Sequence, residues 1–321
     1  MDLDRMLEKC RRDQWSPKDL DWTRTPRVLS RDDEIAIVQY FTDMAGIERL
    51  AGALFREQAE RTDDPTLRSI FRTFVVDEER HAVVAERLAK FYDVHQYRPY
   101  GMNESLTRFR PHFMDAIRYL SDDVANAYVT TGELILDVAL LRSIDDFVKD
   151  EMSAQAMHLI NRDESRHIAV DFHMVEYYSS PAYAAKLRTQ TRPRLADRLR
   201  AWWSFGNVLY HAAPFLRAVF FEPMDRVDPS GKRIREAFKR VQLLSQKPGV
   251  SERPFSRFML TLQDIFNHPL AGPIVGRFVA RIAGLEPRFM QRLYTDDDAR
   301  RVQGMSFDAL ADEALSLKYA G

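Results

Sequence analysis

The chain has 321 residues, 45% of them hydrophobic, and a formal net charge of −1. It is long enough for one large domain or two small ones with a substantial core, and its near-neutral balance excludes a polyelectrolyte partner such as nucleic acid for the chain as a whole. The single cysteine, Cys10, excludes an internal disulfide, a four-cysteine iron–sulfur cluster and a rubredoxin-type iron site built by one chain. No run of about 18 uninterrupted apolar residues occurs, so no transmembrane segment is expected. The opening "MDLDRMLEKCRRDQW" lacks the apolar core of a secretory signal, and a cytoplasmic protein is the resulting expectation.

Apolar residues recur at helical spacing almost throughout, and no alternating strand pattern stands out, which predicts an all-α fold. Residues 1–29 read as an N-terminal arm. Ser30, with Asp33 three positions on, predicts a helix from there to about residue 61. "TDDP" at 62–65 supplies a turn, a cap and a proline at the first helical position, opening a second helix to about residue 92. "YRPYGMNES" at 97–105 breaks the chain. A short helix over about 111–120 follows, and "SDD" at 121–123 caps a third long helix over 122–144. A fourth runs over about 146–178 and ends at "SSP". Residues 30–180 therefore read as two helical hairpins joined by a longer crossover. Residues 181–321 read as a helical C-terminal extension, broken at Pro and Gly.

The second and fourth helices carry nearly the same pentad, "DEERH" at 77–81 and "DESRH" at 163–167. One such pentad should arise by chance on the order of 10⁻³ times in a chain of this length. In each, Glu and His three residues apart share one helix face, and that face is the apolar one. It holds Phe71, Phe74, Val75, Glu78, His81 and Leu88 in one helix, and Met157, Ile160, Glu164, His167, Met174 and Tyr178 in the other. The first helix has a stripe of Ile37, Phe41, Met44, Ala51 and Phe55 with Glu48 as its only charge. The third has Ala125, Val129, Leu136 and Leu140 interrupted by Glu133, with polar Asn126 and Asp137 beside it.

Glu48 precedes Glu78 by 30 residues and Glu133 precedes Glu164 by 31, so a hairpin brings each pair to one height. A core-facing carboxylate is costly unless it is paired or bound to a metal. Four such Glu and two His match the charge of two divalent ions, and oxygen-plus-imidazole ligation suits iron or manganese better than a thiol-seeking metal. One Glu from each of two helices plus Glu-x-x-His from each of the other two is the pattern of di-metal carboxylate bundles. Metal-bound imidazoles usually donate their second N–H to a nearby acceptor. Asp77 is placed to accept from His167 and Asp163 from His81, braced by Arg80 and Arg166. Buried structural ion pairs are the competing explanation for a lone Glu-x-x-His, and a weak one for the full aligned set.

With these residues the chain resembles the ferritin-like superfamily of non-haem di-iron carboxylate proteins over about residues 30–180. The pentads look most like those of bacterial multicomponent monooxygenase hydroxylases and acyl-carrier-protein desaturases. Ala85 stands where ribonucleotide reductase small subunits place a radical tyrosine. Leu136 and Asp137 stand where the monooxygenases commonly have a threonine, with Thr130 and Thr131 in the turn before. Ile160 stands where the arylamine N-oxygenases, similar in length, carry an extra histidine ligand.

The resemblance implies a ferritin-like four-helix bundle over 30–180 with the 181–321 extension packed on it. It implies two iron ions, or a manganese–iron pair, on Glu48, Glu78, His81, Glu133, Glu164 and His167. The activity implied is that of an O₂-activating oxygenase or oxidase performing hydroxylation, desaturation or N-oxygenation. The expected substrate is a small molecule or an acyl group, free or carrier-bound, and Phe41, Met44, Phe74, Leu136 and Met174 are candidates to line its site, with an ordinary core role as the default for each. No nicotinamide, flavin or iron–sulfur motif is present, so a reductase or ferredoxin is the expected electron donor. A monomer or small homo-oligomer is expected. The alternative is an iron-oxidising or peroxide-scavenging relative of ferritins and rubrerythrins, disfavoured by the long extension and the single cysteine.

Other features point less sharply. "RAWWSFGNVLYHAAPFLRAVFF" at 200–221 reads first as a core helix, with a membrane-surface helix or the wall of a lipid-sized tunnel as alternatives. Residues 186–257 are basic, with Lys186, Arg188, Arg192, Arg194, Arg198, Arg200, Lys232, Arg233, Arg235, Lys239 and Arg240 facing few acids, and read equally as a solvated surface or a dock for an acidic carrier or ferredoxin. "DPSGK" at 228–232 lacks phosphate-loop spacing. His95, His112, His158, His173, His211 and His268 lack a ligand constellation.

Overall fold

The computed structural model describes residues 1–189 and 194–319, the side chains of residues 137, 138 and 317–319 excepted. Every regular element among them is helical. In chain order these are α1 (Leu3–Arg12), a 3₁₀ turn (Pro17–Asp19), α2 (Arg31–Arg61), α3 (Pro65–Tyr92), α4 (Glu104–Tyr119), α5 (Asp122–Glu133), a π segment (Leu134–Leu141), α6 (Arg142–Val148) and α7 (Glu151–Ser179). Then follow α8 (Pro181–Thr189), α9 (Leu195–Leu216), a second π segment (Arg217–Phe221), α10 (Glu222–Val227), α11 (Lys232–Ser245), α12 (Pro254–Asn267), α13 (Gly272–Ala283), α14 (Pro287–Met290), α15 (Asp296–Gly304) and α16 (Phe307–Tyr319).

The first hairpin follows its sequence signals. Ser30 Oγ accepts the Asp33 N–H and donates to the Asp33 carboxylate, which starts α2. The Asp64 carboxylate accepts the N–H groups of Thr66 and Leu67, both at 2.9 Å, and Pro65 opens α3. Both caps satisfy donors that a helix start leaves without partners.

Three boundaries differ from the sequence expectation. α4 begins at Glu104 and not near Pro111, because the Asn103 side chain caps it by accepting the Ser105 N–H; Pro111 lies inside the helix. The third long helix starts where expected but continues to Val148, and its middle, Leu134–Leu141, is π-helical. "LILDVALL" is apolar all round and gives periodicity no phase to detect. α7 starts at Glu151 and not near 146, with Asp150 as its cap through the Met152 N–H at 2.8 Å. Lys149, at φ 48°, makes the left-handed turn between the arms.

α2 packs along α3 and α5 along α7, and contacts of α3 with α7 and of α2 with α5 close the group. α9 lies along α4, while α11 and α16 lie against the first π segment. That second layer explains why Leu134, Ile135, Leu136, Ala139, Leu140 and Leu141 are all buried. Residues Asp122–Val148 form, among the described residues, the one helix long and apolar enough to cross a membrane, and 69% of its apolar window is buried inside the fold. Double-sided packing accounts for that composition.

Two surface expectations are corrected. The 200–221 segment is only half a core helix. Ser204, Val208 and Phe215 of α9 are buried, but Trp202 and Trp203 are 71% and 73% exposed. Five of the basic residues named in 186–257 do meet acids: Lys186 pairs with Asp63 at 3.0 Å, Arg200 with Asp115 at 3.3 Å, Lys239 with Asp298 at 2.9 Å, Arg233 with Asp146, and Arg240 with Glu236 and Glu313. All of these partners except Glu236, one turn from Arg240 on α11, come from distant parts of the chain, so local composition hid them. Arg192 lies outside the described residues.

Candidate metal centre

Glu48 of α2, Glu78 and His81 of α3, Glu133 at the end of α5, and Glu164 and His167 of α7 all point into the middle of the helix group. None is more than 4% exposed. They fall into two overlapping clusters, Glu48–Glu78–His81–Glu164 and Glu78–Glu133–Glu164–His167. Within each cluster the ligand-type atoms lie within 4.8 Å of one another. Glu78 and Glu164 belong to both. Glu48 with His81 marks one half, and Glu133 with His167 the other.

Gly52, one turn after Glu48, permits the approach of α3. A Cβ there would stand 3.1 Å from the Glu78 Cβ, tight for any side chain. The inward imidazole nitrogens sit close to carboxylate oxygens. His81 Nδ1 is 3.0 Å from Glu164 Oε1, and His167 Nδ1 is 2.8 Å from Glu164 Oε2 and 3.1 Å from Glu78 Oε1. Yet both nitrogens, both oxygens of Glu78 and of Glu164, Glu48 Oε1 and Glu133 Oε2 are buried without a properly directed hydrogen bond. Such orphaned atoms are rare in protein interiors. Donor atoms at right angles on a small octahedral ion, with bonds of about 2.1 Å, are about 3.0 Å apart. The donor set and its spacing fit divalent metal ligation.

Electrostatics agree. Burial, reinforced by the charge of Glu164, raises Glu48 to about 7. Burial and the same neighbour raise Glu78 and Glu133 well above the usual carboxylate range. Burial alone would raise Glu164 as well, but His167 and His81 outweigh it and hold Glu164 well below that range. Burial opposes charge on the imidazoles too; acidic neighbours prevail and bring His81 to about 10 and His167 to about 9. Without a metal the cluster compensates its own charge by holding protons.

The outward nitrogens meet the two aspartates crosswise. His81 Nε2 is 3.2 Å from Asp163 Oδ2, and His167 Nε2 is 3.4 Å from Asp77 Oδ2. Arg80 donates to Asp77 and, at 2.9 Å, to Asp163. Arg166, fully buried, donates to Asp163 at 2.6 Å and to Asp77 at 3.4 Å. Each arginine therefore ties both aspartates together and does not simply brace one. All ten residues singled out in the sequence are brought to one place.

Three contributors are absent from the sequence-derived site. Trp15 Nε1 donates to Asp163 Oδ2 at 2.6 Å, and Arg80 stacks over the Trp15 ring at 4.9 Å. Gln14 donates to Asp77 at 3.1 Å and accepts from Arg80 at 2.8 Å. Both stand in the N-terminal arm, in a segment without periodicity. Asp171 is fully buried one turn beyond His167, neither carboxyl oxygen has a hydrogen-bond partner, and burial raises its pKa well above the usual range. It did leave a signal: the α7 stripe jumps seven residues from His167 to Met174, and position 171 fills the gap.

A cavity of about 300 Å³ reaches this centre at Glu133. Leu50, Leu54, Phe113, Phe215, Phe255 and Met259 are among its mostly apolar walls. Of the five lining candidates from the sequence only Leu136 borders it. Phe41, Met44, Phe74 and Met174 are core residues away from the cavity, Phe74 packing on the His167 ring at 4.1 Å. No protein-family model, curated protein or solved structure matches the chain.

Proposed function

We propose that α2, α3, the α5–α6 segment and α7 form a ferritin-like four-helix bundle whose six inward ligands hold two iron ions, and that the protein is an O₂-activating oxidase or oxygenase of an organic substrate. The observation that carries this reading is the mostly apolar cavity that borders Glu133. Iron storage needs a hydrophilic route for ions, whereas oxidation of an organic molecule needs a dry pocket against the metals. When bound, the iron pair supplies the electrons and the Lewis acidity for O₂ activation.

The protein's part is placement and exclusion. Glu78 and Glu164 span the two halves, while Asp77 and Asp163 fix which nitrogen of each imidazole faces inward. Leu50, Leu54 and Phe215 keep water from the cavity. Thr130, one turn before Glu133, has its hydroxyl engaged with the Asn126 carbonyl at 2.8 Å. Electrons for turnover would come from a separate reductase or ferredoxin, or from the substrate.

The test is anaerobic Fe(II) loading followed by O₂ exposure, with light scattering for assembly size. O₂ consumption accelerated by one class of apolar compound, in a monomer or small oligomer, supports the reading. A hollow many-subunit particle that mineralises iron far beyond two ions per chain overturns it.

A further inference from the structure

The cavity that reaches Glu133 contains one cationic side chain among its described lining residues, Arg253. Arg253 is the N-cap of α12, and its guanidinium lies over the Tyr183 ring at 4.9 Å. Its Nη2 is buried without a hydrogen-bond partner. Guanidinium is charged at every physiological pH, and leaving such a donor dry and unmatched is costly.

The acids nearby do not answer it. Asp122 is engaged by Arg61 at 3.2 Å. Asp123 also lines the cavity but makes no ion pair with Arg253. Tyr183, beneath the guanidinium, packs on Tyr178 at 4.9 Å, and both rings feel the charges of Asp122 and Asp123 in the first turn of α5. Glu133 is the last residue of that helix, about 15 Å further along its axis. The cation therefore lies near the start of α5 and the candidate metal centre at its end, both on one cavity with mostly apolar walls.

We infer that the cavity binds an amphiphile of medium chain length with one anionic head group, a carboxylate or a phosphate monoester, held by Arg253, its apolar chain extending toward Glu133. A guanidinium grips either head in two-pronged fashion. The head would set which chain carbons reach the metal-side end. This names the substrate class of the proposed oxidase and rests on that reading for its chemistry, though not for its binding.

The experiment is calorimetric titration of the full chain with decanoate, decyl phosphate and decanol, with metal content measured on the same samples. The acids should bind about tenfold or more tightly than the alcohol, and the tighter of the two acids identifies the head group. Arg253→Gln should erase that preference, Arg253→Lys should keep part of it, and Asp123→Asn should strengthen it. Circular dichroism checks that the variants fold, and the wild-type preference needs no variant. Equal binding of decanol and decanoate, or no binding of any probe, overturns the inference. Acid-selective binding by a chain that takes up no metal would sustain it and remove the proposed oxidase. Two metals per chain without acid selectivity would do the reverse.

Discussion

The two halves of the candidate metal centre have the same set of side chains and different surroundings. On one side Glu48 and His81 are walled in by unbroken α-helices and by Trp15 of the N-terminal arm, whose indole binds the aspartate behind His81. On the other side Glu133 stands where α5 gives way to the π segment, borders the cavity and has the solitary Asp171 near it. π-helical turns recur at functional sites, and here the turn falls on the cavity side. The two halves share their ligand types and differ in their walls: one is enclosed by helices and the N-terminal arm, and the other borders the cavity.

Removing what the halves share should have the largest effect. Glu78→Ala deletes a carboxylate common to both clusters and should take metal content from about two ions per chain to below one, read by elemental analysis after iron reconstitution. Glu48→Ala or Glu133→Ala should leave the opposite half occupied. His158→Ala, outside both clusters, should change nothing. Retention of two metals by Glu78→Ala would refute its shared role.

Next in size is the layer behind the imidazoles. Asp163 receives Trp15, Arg80, Arg166 and His81, so Asp163→Asn should weaken metal binding by about 10–100-fold while the helices stay folded. Competition with a chelator measures it, with circular dichroism as the control. An unchanged affinity would make the crosswise pairing structural only.

Acidity separates the metal-free from the metal-loaded protein. The folded-state pKa of Glu48 lies near 7 against an ordinary 4.5, so the folded state holds a proton that the unfolded state releases between those values. Its contribution is fully present below about 4.5 and is lost as pH rises through about 7. Glu78 and Glu133 shift in the same direction. The metal-free protein should therefore melt at lower temperature as pH climbs across that window. The metal-loaded protein should lose this dependence, because cations replace the protons. Thermal melts across the window decide it, and a metal-free protein that gains stability there would contradict the assignment.

The smallest effect belongs to the closed half. Trp15→Phe keeps an aromatic ring near Arg80 but removes the bond to Asp163, a loss of about 2 kcal/mol for a hydrogen bond to a charged group. Denaturant unfolding measures it. It should change iron content far less than Asp163→Asn.

What the sequence made legible was whatever depends on position along a single helix. Caps at Ser30 and Asp64, the inward register of Glu48, Glu78, Glu133 and Glu164, and the crosswise aspartates all follow from spacing and local chemistry. What it hid depends on tertiary contact. Trp15 reaches Asp163 across 148 residues, the π segment sits in a run with no polar phase, and the cavity is walled by α9 and α12 as much as by α5. Asp171 fills the gap in the α7 stripe, but it has no counterpart at matched spacing on α3, where position 85 is alanine.

Anomalous diffraction at the iron edge, on crystals grown from iron-reconstituted protein, addresses the central claim most directly. Two peaks about 3.5–4 Å apart, the usual spacing of a two-metal site, should lie between Glu78 and Glu164, one beside Glu48 and His81 and the other beside Glu133 and His167. The absence of any peak among these residues, with the helices and the cluster intact, would contradict the account.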